Sequence, residues 1–195
     1  MRVQELTLED FCQRSWEQKL LNPLVGDSML ELGNKVKGPT MVYKDIFERL
    51  GFRHVSVDMN GKNGALPLDL RKPLNLGTFD MVTNIGTSEH VSENCYDGQV
   101  ACWRNIVEAM HLESVMVSVG PLKGATKWLR HGRWYPQPAF FHELAALNGL
   151  EAERVYADGN QVYARLKKTE DVEFQMPDVG MYRNPHQLKL GDNLA

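Results

Sequence analysis

The chain has 195 residues and a formal net charge of −3, which suits one domain with short appendages and gives no global field favouring nucleic acid. Cys12, Cys95 and Cys102 are odd in number and scattered, which argues against a disulfide framework or a cysteine-ligated zinc site and for a reduced, cytoplasmic setting. No apolar run approaches the roughly 18–20 residues of a membrane-spanning helix, and the first six residues lack the apolar core of a signal peptide.

Thr7 reads as an N-cap, and Leu8, Phe11, Cys12, Trp16 and Leu20 follow near helical spacing. This predicts a helical arm over residues 1–24, ended by Asn22-Pro23. Residues 28–32 form a short apolar β-type run that ends in Glu31 and Leu32 and is followed by Gly33. Residues 42–50 read as an amphipathic helix stopped by Gly51. A second β-type run, residues 53–58, ends in Asp58. Asn60-Gly-Lys-Asn-Gly64 is a loop. Residues 65–69 are expected to form a short third strand, at an edge because Pro67 has no amide hydrogen to donate. Residues 79–84 form the fourth strand, in which Asp80 reads as a structural acceptor for neighbouring backbone amides. A helix over about residues 98–110 puts Val100, Trp103, Ile106, Val107 and Met110 on one face. Ser114-Val-Met-Val-Ser-Val119 is the continuous apolar run of a strand buried on both sides. Pro138 opens a helix that Gly149 ends. Residues 150–157 and 161–166 read as a hairpin around Asp158-Gly-Asn160. Periodicity is lost from Thr169 onward, so residues 169–195 read as a tail, partly extended and packed on a domain spanning 25–168.

Strands alternating with helices imply right-handed crossovers. The expected fold is therefore α/β, a Rossmann-like, mostly parallel sheet with helices on both faces and a C-terminal antiparallel hairpin. Ligands of such sheets bind beyond the carboxyl ends of the strands. That directs attention to the residues after Leu32, Asp58, Asp69, Asn84 and Val119. A carboxylate at the end of the second strand is a pure acceptor and can take both hydroxyl protons of a ribose.

Met29-Leu-Glu-Leu-Gly33, Asp58, Leu68-Asp69-Leu70, Phe79-Asp-Met-Val-Thr-Asn84 with Glu89-His90-Val91, and Gly132-Arg-Trp-Tyr-Pro136 occur in the order seen in one family. On these segments the chain resembles the class I S-adenosylmethionine-dependent methyltransferases, in particular members that act on small molecules and glycans. The resemblance implies S-adenosylmethionine as cofactor. It points to Glu31, Gly33, Asn34, Asp58, Met59, Asp69, Leu70, Asn84 and Ile85 as its contacts. It makes His90 the candidate general base, and Glu89, Trp128, His131, Trp134 and Tyr135 the candidate walls of an acceptor pocket. The implied acceptor is a small molecule or sugar rather than nucleic acid, and no membrane is involved. No metal is expected, because the histidines are dispersed and none shows a ligand spacing such as His-x3-His. A homodimer or a hetero-complex is compatible with the sequence. One departure stands out: Gly33-Asn-Lys-Val-Lys-Gly38 carries Asn34 and Lys35 where the family has further glycines. Two other readings follow. The chain is either a methyltransferase-like scaffold without activity, or a nucleic-acid methyltransferase using Lys123, Lys127, Arg130 and Arg133 against phosphate. A nicotinamide oxidoreductase is disfavoured, because no Gly-x-Gly-x-x-Gly provides a pyrophosphate cradle.

Overall fold

A computed structural model describes residues 15–37, 41–91, 95–129 and 131–184. The expected start of the N-terminal arm, with its Thr7 cap, lies outside the described residues, as does Arg130. In chain order the elements are α1 (Ser15–Leu21), β1 (Ser28–Leu32), β2 (Val36–Lys37), β3 (Met41–Val42), α2 (Tyr43–Arg49), β4 (Arg53–Val57), β5 (Phe79–Ile85), α3 (Tyr96–Glu108), β6 (Met110–Pro121), β7 (Trp134–Pro136), α4 (Pro138–Leu147), β8 (Leu150–Asp158), β9 (Gln161–Lys168) and β10 (Met181–Arg183).

Six strands form one sheet in the order β4-β1-β5-β6-β9-β8. β4, β1, β5 and β6 run parallel, and β9 lies antiparallel to both β6 and β8. The hairpin thus inserts its second strand between β6 and β8 and adds the single antiparallel member. Side chains alternate across the strands, so each face has its own core. Leu30, Leu32 and Val82 meet Trp103, Phe140 and Phe141 from α3 and α4. Met29, Met81, Val115 and Val117 meet Leu20, Ile46 and Phe47 from α1 and α2. Trp103 is fully buried, with ring centroids 4.8 Å from Phe140 and 5.7 Å from Phe141.

Pins between strands fix their register. Asp80 in β5 accepts hydrogen bonds from the amides of Asp27 and Ser28 (3.1 and 2.9 Å) and from Ser28 Oγ (2.6 Å). Gly26, with φ of 67°, makes this approach possible: a Cβ there would lie 2.1 Å from Asp80 Cγ. Buried Arg165 in β9 donates to the carbonyls of Leu20 and Pro23 and pairs with Glu153, which ties α1 to the sheet.

Two expectations are corrected. Residues 65–69 form only an isolated bridge between Leu66 and Val57. The Leu66 amide donates to Ser56 O and its carbonyl accepts from Asp58, but Pro67 cannot continue the ladder. β6 begins earlier than the apolar run, at Met110, and passes through Glu113 with φ of 72°. The segment after residue 168 packs on the domain: Phe174 is buried in the α3/α4 core, and β10 pairs antiparallel with β7.

Candidate functional site

The carboxyl ends of β4 and β5 open on a cavity of about 700 Å³ lined by Val57, Asp58, Met59, Leu68, Asp69, Leu70, Arg71, Gly86, Thr87, His90, Val91 and Cys95. Its floor is held by local chemistry at the end of β1. The Gly33 amide donates to Val57 O (2.7 Å), and Thr87 Oγ1 donates to Leu32 O (2.8 Å). Gly33 has φ of 88°, and a Cβ on it would stand 2.5 Å from Thr87 Oγ1. Glycine is required there because the loops after β1 and β5 close on each other.

Asp58 follows β4 and lines the cavity. Its Oδ1 accepts the Asn60 amide (2.9 Å) in a local turn, and among the described residues Oδ2 has no partner. Met59 is exposed beside it. Asp69 and Leu70 also line the cavity, with Leu70 buried. The Asp69 carboxylate is already engaged: Arg71 Nε and Nη2 reach it at 2.7–3.0 Å. These hydrogen bonds hold its pKa below the usual carboxylate value.

Other expected cofactor contacts are committed within the fold. Buried Glu31 accepts the Lys35 amide on Oε1 (2.9 Å), and its Oε2 lies 3.3 Å from Nε2 of buried His54. Asn34 donates to Asn60 Oδ1 and Lys62 O, clasping the loop after β1 to the loop after β4. Asn84 donates to Ser88 Oγ and Ser118 Oγ and accepts the Ser88 amide, so its side chain ties β5 to β6 and to the turn at 88–90. Ile85 belongs to the α1/α2 core.

The turn after β5 and the loop after β6 meet. His90 Nε2 and His131 Nε2 are 3.2 Å apart, with the rings edge to face. Buried Glu89 places Oε1 at 4.0 Å from His90 Nε2 and 3.8 Å from His131 Nε2. Burial pushes the Glu89 carboxyl up to about 7, against the opposing pull of its own backbone amide and the Lys35 charge. Burial and then the Lys35 charge lower the His131 pKa. Trp128 packs on His131 with centroids 4.9 Å apart. Trp134 and Tyr135, expected as pocket walls, are buried in β7 instead. Trp134 meets Tyr96, and Tyr135 Oη donates to the carbonyls of Trp128 and His131. β7 pairs with β10, and because successive strand residues point to opposite faces the two rings are buried against different partners.

Sequence reasoning missed three contributors and read a fourth, Lys35, only as a departure from the glycine pattern. Lys35 Nζ would stand 2.8 Å from a Cβ on Gly86, which lines the cavity. Thr87 is the first of the missed three, through its bond across Gly33. The second is Gly132, with φ of 68°, where a Cβ would meet Glu89 Cγ at 2.7 Å. The third is Asn184, whose Nδ2 donates to Leu129 O, Gly132 O and Tyr135 Oη. Isolated glycines beside chemical residues were the one available signal; Asn184 carried none.

No family model and no curated protein sequence matches the chain. Solved structures do. N-methyltransferase NodS from Bradyrhizobium japonicum WM9, a complex with S-adenosyl-L-homocysteine, superposes with a TM-score of 0.58 at 13% identity, over 78% of this chain and 83% of that one. The fold is that of the class I S-adenosylmethionine-dependent methyltransferases. A 1,6-didemethyltoxoflavin-N1-methyltransferase from Burkholderia thailandensis aligns with this methyltransferase fold at 13% identity and a TM-score of 0.52, over 73% and 71% of the two chains. A T. Thermophilus 16S rRNA methyltransferase aligns at 14% identity and a TM-score of 0.50, over 83% of this chain, which spans only 40% of that protein. No helix among the described residues is long and apolar enough to cross a membrane.

Proposed function

We propose that the protein binds S-adenosylmethionine in the cavity beyond β4 and β5 and transfers its methyl group to a small molecule or sugar. The observation that carries this reading is Asp58, at the carboxyl end of β4 on the cavity lining, with one carboxylate oxygen unpartnered among the described residues. That oxygen suits a ribose hydroxyl. Leu68, Leu70 and Val91 offer apolar surface to a base. Several structures sharing the fold are complexes with the cofactor or its product. His90, at the cavity wall, takes the acceptor proton. The acceptor atom then attacks the methyl carbon in line as the carbon–sulfur bond breaks, leaving neutral S-adenosylhomocysteine. The enzyme contributes orientation and exclusion of water.

Calorimetric titration with S-adenosylhomocysteine tests the reading. The wild type should bind, and Asp58→Ala should bind about 10- to 150-fold more weakly, the cost of a lost charge-assisted hydrogen bond. Absence of binding by the wild type would remove the proposal. A second reading, a binding subunit without turnover, is favoured by Lys35: its ammonium stands at Gly86, where it opposes a cationic sulfonium. That reading expects obligate association with another chain and no methyl transfer.

A further inference from the structure

We propose that Glu89, His90 and His131 bind a divalent first-row transition-metal ion at the rim of the cavity. One oxygen and two imidazole nitrogens, one from each residue, lie within 4.8 Å of one another. Metal–ligand bonds of about 2.0–2.2 Å set neighbouring ligand atoms roughly 3.0–3.4 Å apart in octahedral or tetrahedral geometry. The two Nε2 atoms meet that spacing at 3.2 Å, and Glu89 Oε1, at 3.8 and 4.0 Å from them, reaches it by a small side-chain rotation.

The surroundings favour a cation. Glu89 is 3% exposed, and among the described residues no lysine or arginine forms an ion pair with it. A buried carboxylate without a cation is costly, and a dication would supply the missing charge. Lys35 opposes this: its half-buried ammonium stands near Gly86 and its charge acts on Glu89, but among the described residues it forms no ion pair with that carboxylate. The ligands are held before any ion arrives. The Arg133 amide donates to Glu89 O (2.7 Å), the absent side chain of Gly132 lets the two loops touch, and Tyr135 Oη fixes the His131 carbonyl (2.9 Å). Two imidazoles select zinc, manganese, iron or cobalt over magnesium or calcium, which prefer all-oxygen sets. Three protein ligands leave coordination positions open, and His90 lines the cavity. The existence of the site stands on this geometry. Its role rests on the methyl-transfer reading: Lewis-acid binding of an acceptor oxygen would lower the pKa of that oxygen's own proton, and this replaces proton removal by His90, whose Nε2 is then committed to the ion.

The spacing hid it: 41 residues separate His90 from His131. Titration of chelator-treated protein with Co²⁺, followed by visible d–d absorption and calorimetry without cofactor, tests the proposal. One ion should bind at micromolar concentration. Glu89→Gln, His90→Ala and His131→Ala should each weaken it by more than about 100-fold, beyond the roughly 10- to 100-fold that loss of an outer-shell partner costs. Cys95→Ser should leave the spectrum unchanged. Both histidines are about half exposed and Gln is isosteric with Glu, so unfolding, checked by circular dichroism, is not expected. Failure of the wild type to bind Co²⁺, or equal binding by the triple variant, would overturn the site. Co²⁺ binding without S-adenosylhomocysteine binding would keep the site and remove the methyl-transfer reading.

Discussion

Asp80→Asn removes the charge that pins the start of β1 to β5 while keeping side-chain size. Partial burial alone would raise the Asp80 pKa. It is outweighed by the hydrogen bonds from Ser28 Oγ and the Asp27 and Ser28 amides, and by His111, so the value falls from 3.8 to about 2. That difference corresponds to about 2.4 kcal/mol at full strength, and solvent reaching 23% of the side chain screens it to about 1.5 kcal/mol. The folded-state pKa is depressed, so this stability is fully present above about pH 4 and is lost as pH falls through about 2. Urea unfolding followed by tryptophan fluorescence should show the variant about 1.5 kcal/mol less stable at pH 7 and about half that at pH 3. A deficit that is the same at both pH values, or absent at pH 7, would refute the charge argument.

Trp103→Ala should destabilise the domain by about 3–5 kcal/mol in the same assay, because it empties the contact between α3 and both phenylalanines of α4. Gly26→Ala combines a left-handed φ with a clash against Asp80 and should cost more than the roughly 1 kcal/mol of the conformational effect alone; thermal melting checks this. Lys35→Met should raise affinity for S-adenosylmethionine relative to S-adenosylhomocysteine by about two- to fivefold, measured calorimetrically, since only the former carries the sulfonium charge that the ammonium repels.

Local chemistry was legible in the sequence, and long-range contact was not. β1, α2 and β4 followed from apolar period, a glycine stop and a terminal carboxylate, and they place Asp58 at the cavity. Asp80 carries the structural role its position in an interior strand suggested. Residues 65–69 misled because an apolar, alternating pentapeptide meets Pro67 just where a ladder needs a donor. Glu31, Asn34 and Asn84 are polar residues at strand ends, and sequence cannot say whether such a group faces a ligand or a neighbouring loop. Here all three bridge loops or strands. Trp134 and Tyr135 looked like pocket walls because aromatic clusters in irregular stretches suit that role. They are buried against Tyr96 and Asn184, partners 38 and 49 residues away in the chain that carry no local signal. The pairing of His90 with His131 depends on adjacency of β5 and β6, a property of topology.

Asn184 has a consequence for how the molecule comes into being. It holds the loop from Leu129 to Tyr135, yet it follows Gly132 by 52 residues. At about 5–20 residues per second of synthesis, that interval is about 3 to 10 seconds. Every strand of the six-stranded sheet, through Lys168, is made before the clasp. A nascent chain can therefore own its sheet and its Asp58 while the loop bearing His131 is still loose. The clasp on the rim of the cavity is made late, by a residue distant in sequence, so a chain ended before it would keep its scaffold and lack that hold on the loop.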